Sequence, residues 1–147
     1  MIRPLADDFT VITASPDPEK VFCYTPGILR LPDGALLATM DYGGPGVREA
    51  FHGAPYFERQ QPMSYLTRAN LGRAFLSYDD GASWQHTCDF GLCHARPFMA
   101  GGSVYILGHH GDIGILRSDD CGKTWGLVCD LTHGQMWNQS ACNGWVS

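Results

Sequence analysis

Several side chains that could do chemistry stand in the segments between predicted strands. Imidazole and guanidinium groups form hydrogen bonds with a ligand, and an indole ring offers it a stacking face. Four of the candidates also have a structural alternative: an exposed surface for Arg48, hydrogen bonding within the fold for His94 and Arg96, and core packing for Trp137. The candidate substrate-binding residues are Arg48, His94, Arg96, His110, Asp112 and Trp137.

His109, His110 and Asp112 are of types that also bind metal ions. Adjacent residues of a strand point to opposite faces, so a single ion could hardly bind both histidines. The cysteines at positions 23, 88, 93, 121, 129 and 142 show no Cys-x-x-Cys spacing. The sequence therefore predicts neither a metal site nor a cofactor.

Two copies of one short motif organise the elements around these candidates. Ser77–Trp84 reads Ser-Tyr-Asp-Asp-Gly-Ala-Ser-Trp, and Ser118–Trp125, 41 residues later, reads Ser-Asp-Asp-Cys-Gly-Lys-Thr-Trp. The shared pattern predicts a hairpin turn in which the aspartate accepts backbone hydrogen bonds, the glycine takes a positive φ and the tryptophan begins the next strand. A period of about 40–50 residues is typical of propeller blades.

These motifs resemble the Asp-boxes of sialidases and related β-propellers. In that family the box joins the third and fourth strands of a blade, on the face away from the active site. The resemblance implies a structural role for the matching residues, with both aspartates building turns rather than doing chemistry. The matching residues are Ser77, Asp79, Gly81, Trp84, Ser118, Asp120, Gly122 and Trp125.

The resulting fold prediction is all-β: a sialidase-type β-propeller of about two blades and the start of a third, an incomplete ring. Residues 1–24 hold a strand at Phe9–Ala14 that could close a ring, and residues 25–90 form blade one with a long insertion at 41–70. Residues 91–131 form blade two, and residues 132–147 begin a truncated third blade. Because a closed ring needs about four to eight blades, we expect a fragment of a longer protein or a ring of several copies.

The composition excludes some classes of partner. The formal net charge is −5 and the 10 lysines and arginines are scattered, which predicts no nucleic-acid surface. No apolar run approaches the roughly 20 residues of a transmembrane helix, so no membrane partner is predicted. The N-terminus lacks the apolar region of a signal peptide, which leaves the location open, with the cytoplasm as the first expectation.

The resemblance also implies a catalytic residue. Sialidases carry their acid/base aspartate in the loop after the second strand of blade one, where Asp41 is the nearest match, with a turn or capping role as its alternative. Their first blade begins with Arg-Ile-Pro, whose arginine binds the substrate carboxylate, whereas this chain reads Tyr24-Thr25-Pro26. The family's tyrosine nucleophile and supporting glutamate come from later blades and would lie beyond Ser147.

The leading functional hypothesis is a sialidase-like, exo-acting glycoside hydrolase that needs further blades and is not active alone. Its partner would be a glycan or glycoconjugate, and open blade edges could also support self-association. The alternative is a non-catalytic Asp-box propeller that binds glycans or proteins, which the missing arginine favours, because a guanidinium matches a carboxylate as no other side chain does. A third hypothesis is a purely structural piece.

Overall fold

The computed structural model describes residues 8–52, 71–110 and 112–130, without the side chains of His110, Asp112 and residues 127–130. Strands dominate these ranges, and the helix within them, α1, is a single turn at Val47–Ala50. The prediction of an all-β protein is confirmed. No helix in the described ranges is long and apolar enough to cross a bilayer.

The strands form two four-stranded antiparallel sheets, each in the sequential order of a propeller blade. The first blade consists of β1 Phe22–Arg30, β2 Leu36–Gly43, β3 Leu71–Ser77 and β4 Gln85–Phe90. The second blade consists of β5 Cys93–Ala100, β6 Ser103–His110, β7 Asp112–Ser118 and β8 Gly126–Asp130. The two sheets do not close into a ring, so the described residues form part of a propeller.

Short turns set the register of the strands. In the hairpin between β1 and β2, Asp33 accepts a hydrogen bond from the Ala35 amide at 3.1 Å, and Gly34 takes a φ of 91°, which a residue with a Cβ rarely adopts. The register set by this turn holds as far as Gly27, and a shift between Gly27 and Tyr24 then places Tyr24 of β1 directly opposite Asp41 of β2.

The main core lies between the two blades. Leu37 and Leu76 of the first sheet and Ala95 and Ile106 of the second are almost fully buried, because alternate residues of each strand point into the space between the sheets. The Thr39 hydroxyl adds a hydrogen bond across this junction, to the Ala95 carbonyl at 3.2 Å. The packing fixes β1 and β2 against β5, and these three strands carry the candidate site.

A smaller core cluster lies where the long insertion leaves the first blade. The Tyr42 and Phe51 rings meet edge-on with centroids 5.0 Å apart, and the Arg73 guanidinium lies 5.1 Å from the centre of the Phe51 ring. We call this group the insertion-root cluster, because Phe51 and Leu71 flank residues 53–70. Its members are Val21, Tyr42, Val47 and Leu71, with Met40 and Phe51 packed against them.

Two segments differ from the sequence predictions. The strand predicted at Phe9–Ala14 is not formed; instead the Thr13 hydroxyl hydrogen-bonds with the hydroxyl of Tyr42 on β2. Asp41, predicted at the mouth of a loop, lies within a strand, because β2 keeps its pairing with β3 as far as Tyr42. The predicted start of a third blade at 132–147 lies outside the described residues.

Candidate functional site

Asp41 is the centre of the candidate site. It is 4% exposed and lies at the junction between the blades. Its Oδ2 accepts hydrogen bonds from the Thr25 hydroxyl on β1 and from the backbone amide of His94 on β5. Its Oδ1 is also buried and has no hydrogen-bond partner among the described residues. A buried polar atom in this state costs free energy, so it is a candidate for contact with a ligand.

The environment of Asp41 changes its acidity. Burial raises the pKa of Asp41 above its ordinary value of 3.8, because removal from water disfavours the carboxylate more than the neutral acid. The Thr25 hydroxyl, the backbone amide and charge of His94 and the backbone amide of Ala95 lower the pKa but do not cancel the effect of burial. Asp41 therefore keeps its proton to a higher pH than an exposed aspartate does, as a general acid must.

Both donors to Asp41 come from residues with a left-handed backbone. Thr25 has a φ of 42° and His94 a φ of 52°, a region that is unfavourable for residues with a Cβ and an outlier for a β-branched one. Each residue lies where its strand shifts register against its neighbour. These irregularities turn the hydroxyl and the amide toward the carboxyl, and such strain is concentrated at functional sites.

A histidine pair adjoins the carboxyl. Nδ1 of His94 and Nε2 of His109 are 2.7 Å apart, so one ring donates a hydrogen bond to the other. His109 is 6% exposed on β6. Because His94 also donates its amide to Asp41, the contact between the rings helps to hold the strained backbone that presents this amide.

Arg96 joins the two blades at the rim of the site. Its exposed side chain donates a hydrogen bond from Nη1 to the Thr25 carbonyl at 2.9 Å. Two of the sequence candidates, His94 and Arg96, are thus brought to Asp41: His94 through its own amide, and Arg96 through the backbone of Thr25.

The other sequence candidates lie elsewhere or outside the description. Arg48 lies on α1, which follows β2, and its side chain is exposed. The backbones of His110 and Asp112 pair across the tight connection between β6 and β7. Trp137 lies outside the described residues. Within the described ranges, no three side chains of metal-binding type come together.

Sequence reasoning missed Thr25 and the role of His109. Thr25 was considered only because an arginine motif was absent there, although Pro26-Gly27 inside a predicted strand signals irregular pairing. The sequence marks His109 only as one of several histidines in the segments between strands and as a residue of metal-binding type. Its partner His94 is 15 residues away along the chain, and no local pattern indicates that contact.

The two Asp-box turns lie at the opposite end of the sheets from Asp41. On β2, Leu36 pairs with Ser77 beside the first turn, whereas Asp41 pairs with Gly72. The distance along the strand is about 17 Å. In both turns the serine hydroxyl donates to the aspartate at 2.8 Å and accepts from the glycine amide at 2.8 Å, and the indole donates back to the glycine carbonyl.

The Asp-box aspartates are fully engaged within their turns. Asp79 accepts hydrogen bonds from the Ser83 amide at 2.8 Å and hydroxyl at 2.6 Å, and Asp120 accepts the same two bonds from Thr124. These bonds favour the carboxylate and lower the pKa of Asp79 and of Asp120 to about 2. This is the bonding that a turn-building aspartate makes, and it contrasts with the raised pKa of Asp41.

No protein-family model matches the chain, and no curated protein sequence matches it. Among solved structures, a Trypanosoma rangeli sialidase is 18% identical over 67% of this chain and 13% of its own, with a TM-score of 0.46. A Penicillium chrysogenum α-L-arabinanase complexed with arabinobiose is 19% identical over 76% of this chain and 31% of its own, with a TM-score of 0.46.

An α-L-arabinofuranosidase from Fusarium graminearum, in complex with an iminosugar inhibitor, is 19% identical over 78% of this chain and 32% of its own, with a TM-score of 0.48. This chain thus spans between 13% and 32% of the three structures. Similarity at this level of identity concerns the fold alone.

Proposed function

We propose that this chain supplies the acid/base carboxyl of an exo-acting, sialidase-like glycoside hydrolase. The observation that carries the proposal is the burial and the hydrogen bonding of the Asp41 carboxyl. Its carboxyl is buried at the junction of two blades, with Oδ2 held by two donors and Oδ1 without a partner among the described residues. In this arrangement Oδ1 is the atom that would meet a glycosidic oxygen.

Glycoside hydrolysis needs a carboxyl that is protonated when the substrate binds. As the bond between the sugar and its leaving group breaks, Asp41 transfers its proton to the glycosidic oxygen, and the resulting carboxylate later takes a proton from water. The raised pKa of Asp41 supports the first step. The hydrogen bonds from Thr25 and His94 support the carboxylate that the first step leaves.

The second catalytic group belongs, in this proposal, to further blades. Most glycoside hydrolases use a pair of carboxyl groups, and the sialidase resemblance replaces one of them with a tyrosine and its glutamate from later blades. The described sheets are two, whereas a closed propeller has about four to eight. We therefore expect the two-blade unit alone to hydrolyse no glycan, whether the missing blades come from the same polypeptide or from other copies.

A non-catalytic, glycan-binding propeller is the second candidate. The observation that favours it is the depth of Asp41, which at 4% exposed leaves little room for a glycosidic oxygen to approach. In this case Asp41 is a structural carboxyl of the blade junction, and a glycan binds the surface around it.

The substitution Asp41→Asn tests the first candidate. In the complete ring we expect hydrolysis of the best substrate in an aryl-glycoside panel to fall by at least about 100-fold, because an amide has no acidic proton to donate. Glycan-induced shifts in Tm should persist in the variant, since binding does not need that proton. Asp80→Asn is the matched control, because Asp80 is exposed in the first Asp-box turn and pairs there with Arg30.

The outcomes separate the two candidates. Unchanged turnover in Asp41→Asn removes Asp41 from the mechanism. A protein that shifts its Tm with glycans but cleaves none of the aryl glycosides is the non-catalytic propeller instead.

A further inference from the structure

Two aromatic side chains stand partly exposed on the first strand of the first blade. Phe22 is 40% exposed and Tyr24 43% exposed on β1, and their ring centroids are 6.3 Å apart in an edge-to-face arrangement. Large rings usually lose most of their surface to water in a folded core. Because this pair keeps 40% and 43% of its surface exposed, its ring faces are accessible to a ligand.

The register places this pair beside Asp41. Tyr24 lies opposite Asp41 in the β1–β2 ladder, and Phe22 lies opposite Gly43. Residues directly opposite each other in an antiparallel ladder project from the same face of the sheet. Both rings therefore lie on the face that carries the Asp41 carboxyl, whose Oδ1 has no partner among the described residues.

The backbone near Phe22 is shaped to leave space for its ring. Gly43, opposite Phe22, has no side chain, and Gly44 has a φ of 116°. A Cβ on Gly44 would stand 3.0 Å from Cδ2 of Phe22 and 2.4 Å from the Lys20 carbonyl oxygen. The two glycines thus let the ring lie against the backbone, which fixes its position beside the site.

The cations described near this surface have other partners. The Lys20 ammonium lies 3.9 Å from the Asp17 carboxylate, and Arg96 donates from Nη1 to the Thr25 carbonyl. A carboxylate sugar is best bound by the two-pronged fork of a guanidinium, whereas the carbon-bonded hydrogens of an uncharged sugar stack on an aromatic face. The described surface that Phe22 and Tyr24 contribute beside Asp41 is therefore aromatic rather than cationic.

We propose that Phe22 and Tyr24 form a stacking platform for an uncharged glycosyl residue, and that this platform makes the Asp41 site select neutral sugars over carboxylate-bearing ones. The platform deepens the proposed function and rests on it for the reaction. The binding of the sugar can be measured without turnover.

The test is isothermal titration of the complete ring carrying Asp41→Asn, with arabinobiose and lactose as neutral ligands and sialyllactose as the acidic ligand. We expect both neutral disaccharides to bind more tightly than sialyllactose. Adding Tyr24→Ala or Phe22→Ala should weaken neutral binding by roughly 3- to 10-fold, the range expected from losing one stacked ring. Tyr24→Phe, which keeps the ring, should retain the affinity.

Two further variants sharpen the test. Tyr24→Arg places a guanidinium on the platform and should reverse the preference in favour of sialyllactose. Tyr78→Ala is the matched control, because Tyr78 is also exposed, at 56%, but adjoins the Asp-box turn at the other end of the sheet. It should leave every affinity unchanged.

Three results overturn the proposal: tighter binding of sialyllactose by the Asp41→Asn parent, unchanged neutral affinity in Tyr24→Ala and Phe22→Ala, or no binding of any of the three ligands. The proposed function fails by a different result, unchanged turnover in Asp41→Asn. The titrations therefore decide on the platform, and the hydrolysis assay decides on the acid/base role.

Discussion

Thr25 and His94 each use an unfavourable backbone conformation to present one donor to the same oxygen of Asp41. A left-handed backbone costs a residue with a Cβ roughly 1–2 kcal/mol. Such a cost persists only where the surrounding contacts hold the conformation, and for His94 the described contacts are the His109 ring and the Asp41 carboxyl. The site is thus built from residues whose local preferences it overrides.

The backbone strain at His94 predicts an unusual order of stability for two truncations. His94→Gly and His94→Ala both lose the bond to His109, but only glycine adopts a φ of 52° without strain. We expect His94→Gly to be more stable than His94→Ala by about 1 kcal/mol in urea unfolding.

The control for this comparison is Ala100→Gly, at the exposed end of β5 where φ is not positive. At this position the Ala100→Gly variant should have a free energy of unfolding about 0.5–1 kcal/mol lower than the wild type. Equal stability of the two His94 variants would contradict a strained backbone at this position.

The raised pKa of Asp41 predicts that the contribution of this residue to the free energy of unfolding becomes less favourable as the pH rises. The folded state holds the Asp41 proton more tightly than the unfolded state, so its contribution is most favourable below the ordinary value of 3.8 and is lost as pH rises through the raised pKa. The free energy of unfolding of the wild type should therefore fall, relative to Asp41→Asn, as the pH rises above 3.8.

Asp119 provides a comparison in which the pKa is shifted in the opposite direction. Hydrogen bonds from Ser103 and Arg117 lower its pKa, so its contribution to stability should be present at neutral pH and decline in acid. Urea unfolding of Asp41→Asn and Asp119→Asn at several pH values measures both trends. A difference between wild type and Asp41→Asn that does not change with pH would show that burial leaves the acidity of Asp41 unaltered.

At the scale of elements, the parts encoded by neighbouring residues were predictable, and the parts that need distant contacts were not. The turns at Pro32-Asp33-Gly34 and at the two Asp-boxes follow from side chains that bond within the same few residues. The register shifts near Thr25 and His94 depend on how β1 and β5 meet at the blade junction, so the sequence names Asp41 and His94 as candidates but does not predict the hydrogen bond between them or the role of Thr25. Phe9–Ala14 has the alternation of a strand but pairs with no strand of the described sheets, and its described contact with them is the hydrogen bond between the Thr13 and Tyr42 hydroxyls.

The second Asp-box turn predicts a loss of stability that disappears in acid. Asp120→Asn weakens the hydrogen bonds that Thr124 and Ser118 make with the carboxylate. Because the pKa of Asp120 is lowered to about 2, its contribution is present above 3.8 and is lost as the pH falls through about 2. The variant should therefore be less stable than the wild type at pH 7, with a deficit that narrows toward pH 2.

Urea unfolding monitored by circular dichroism measures this deficit, with Asp80→Asn as the control in the first turn. Asp80 lies in an exposed ion pair, so its substitution should change stability little at any pH. A deficit of the same size at pH 7 and at pH 2 would mean that the charge of Asp120 does not stabilise the turn.

At the scale of the whole molecule, the two blades share one core, and the second blade has a further face that points away from this core. Phe98 and Tyr105 stack there with centroids 5.3 Å apart, on strand positions that alternate with the core residues Met99 and Val104. A face of this kind in a propeller normally receives the next blade. Self-association through open blade edges stays a prediction, as does the need for further blades.

The shared core predicts that the blades unfold together. Ile106 is fully buried between them, so Ile106→Ala should lower the free energy of unfolding by about 2–5 kcal/mol. Far- and near-ultraviolet dichroism should report one coincident transition in both proteins. Ile115→Ala, on the opposite face of the second sheet and only partly buried, should cost less. Two separate transitions would show that each blade folds independently.

The insertion-root cluster has a consequence for how this protein can evolve. Phe51, just before residues 53–70, and Leu71, just after them, belong to the same cluster, so the chain leaves and re-enters the sheet at one packed point. Lengthening a loop whose ends are already fixed costs little, about 0.6 kcal/mol for each doubling. Changes in the number of residues between Phe51 and Leu71 should therefore accumulate among descendants of this chain while β2 and β3 keep their register.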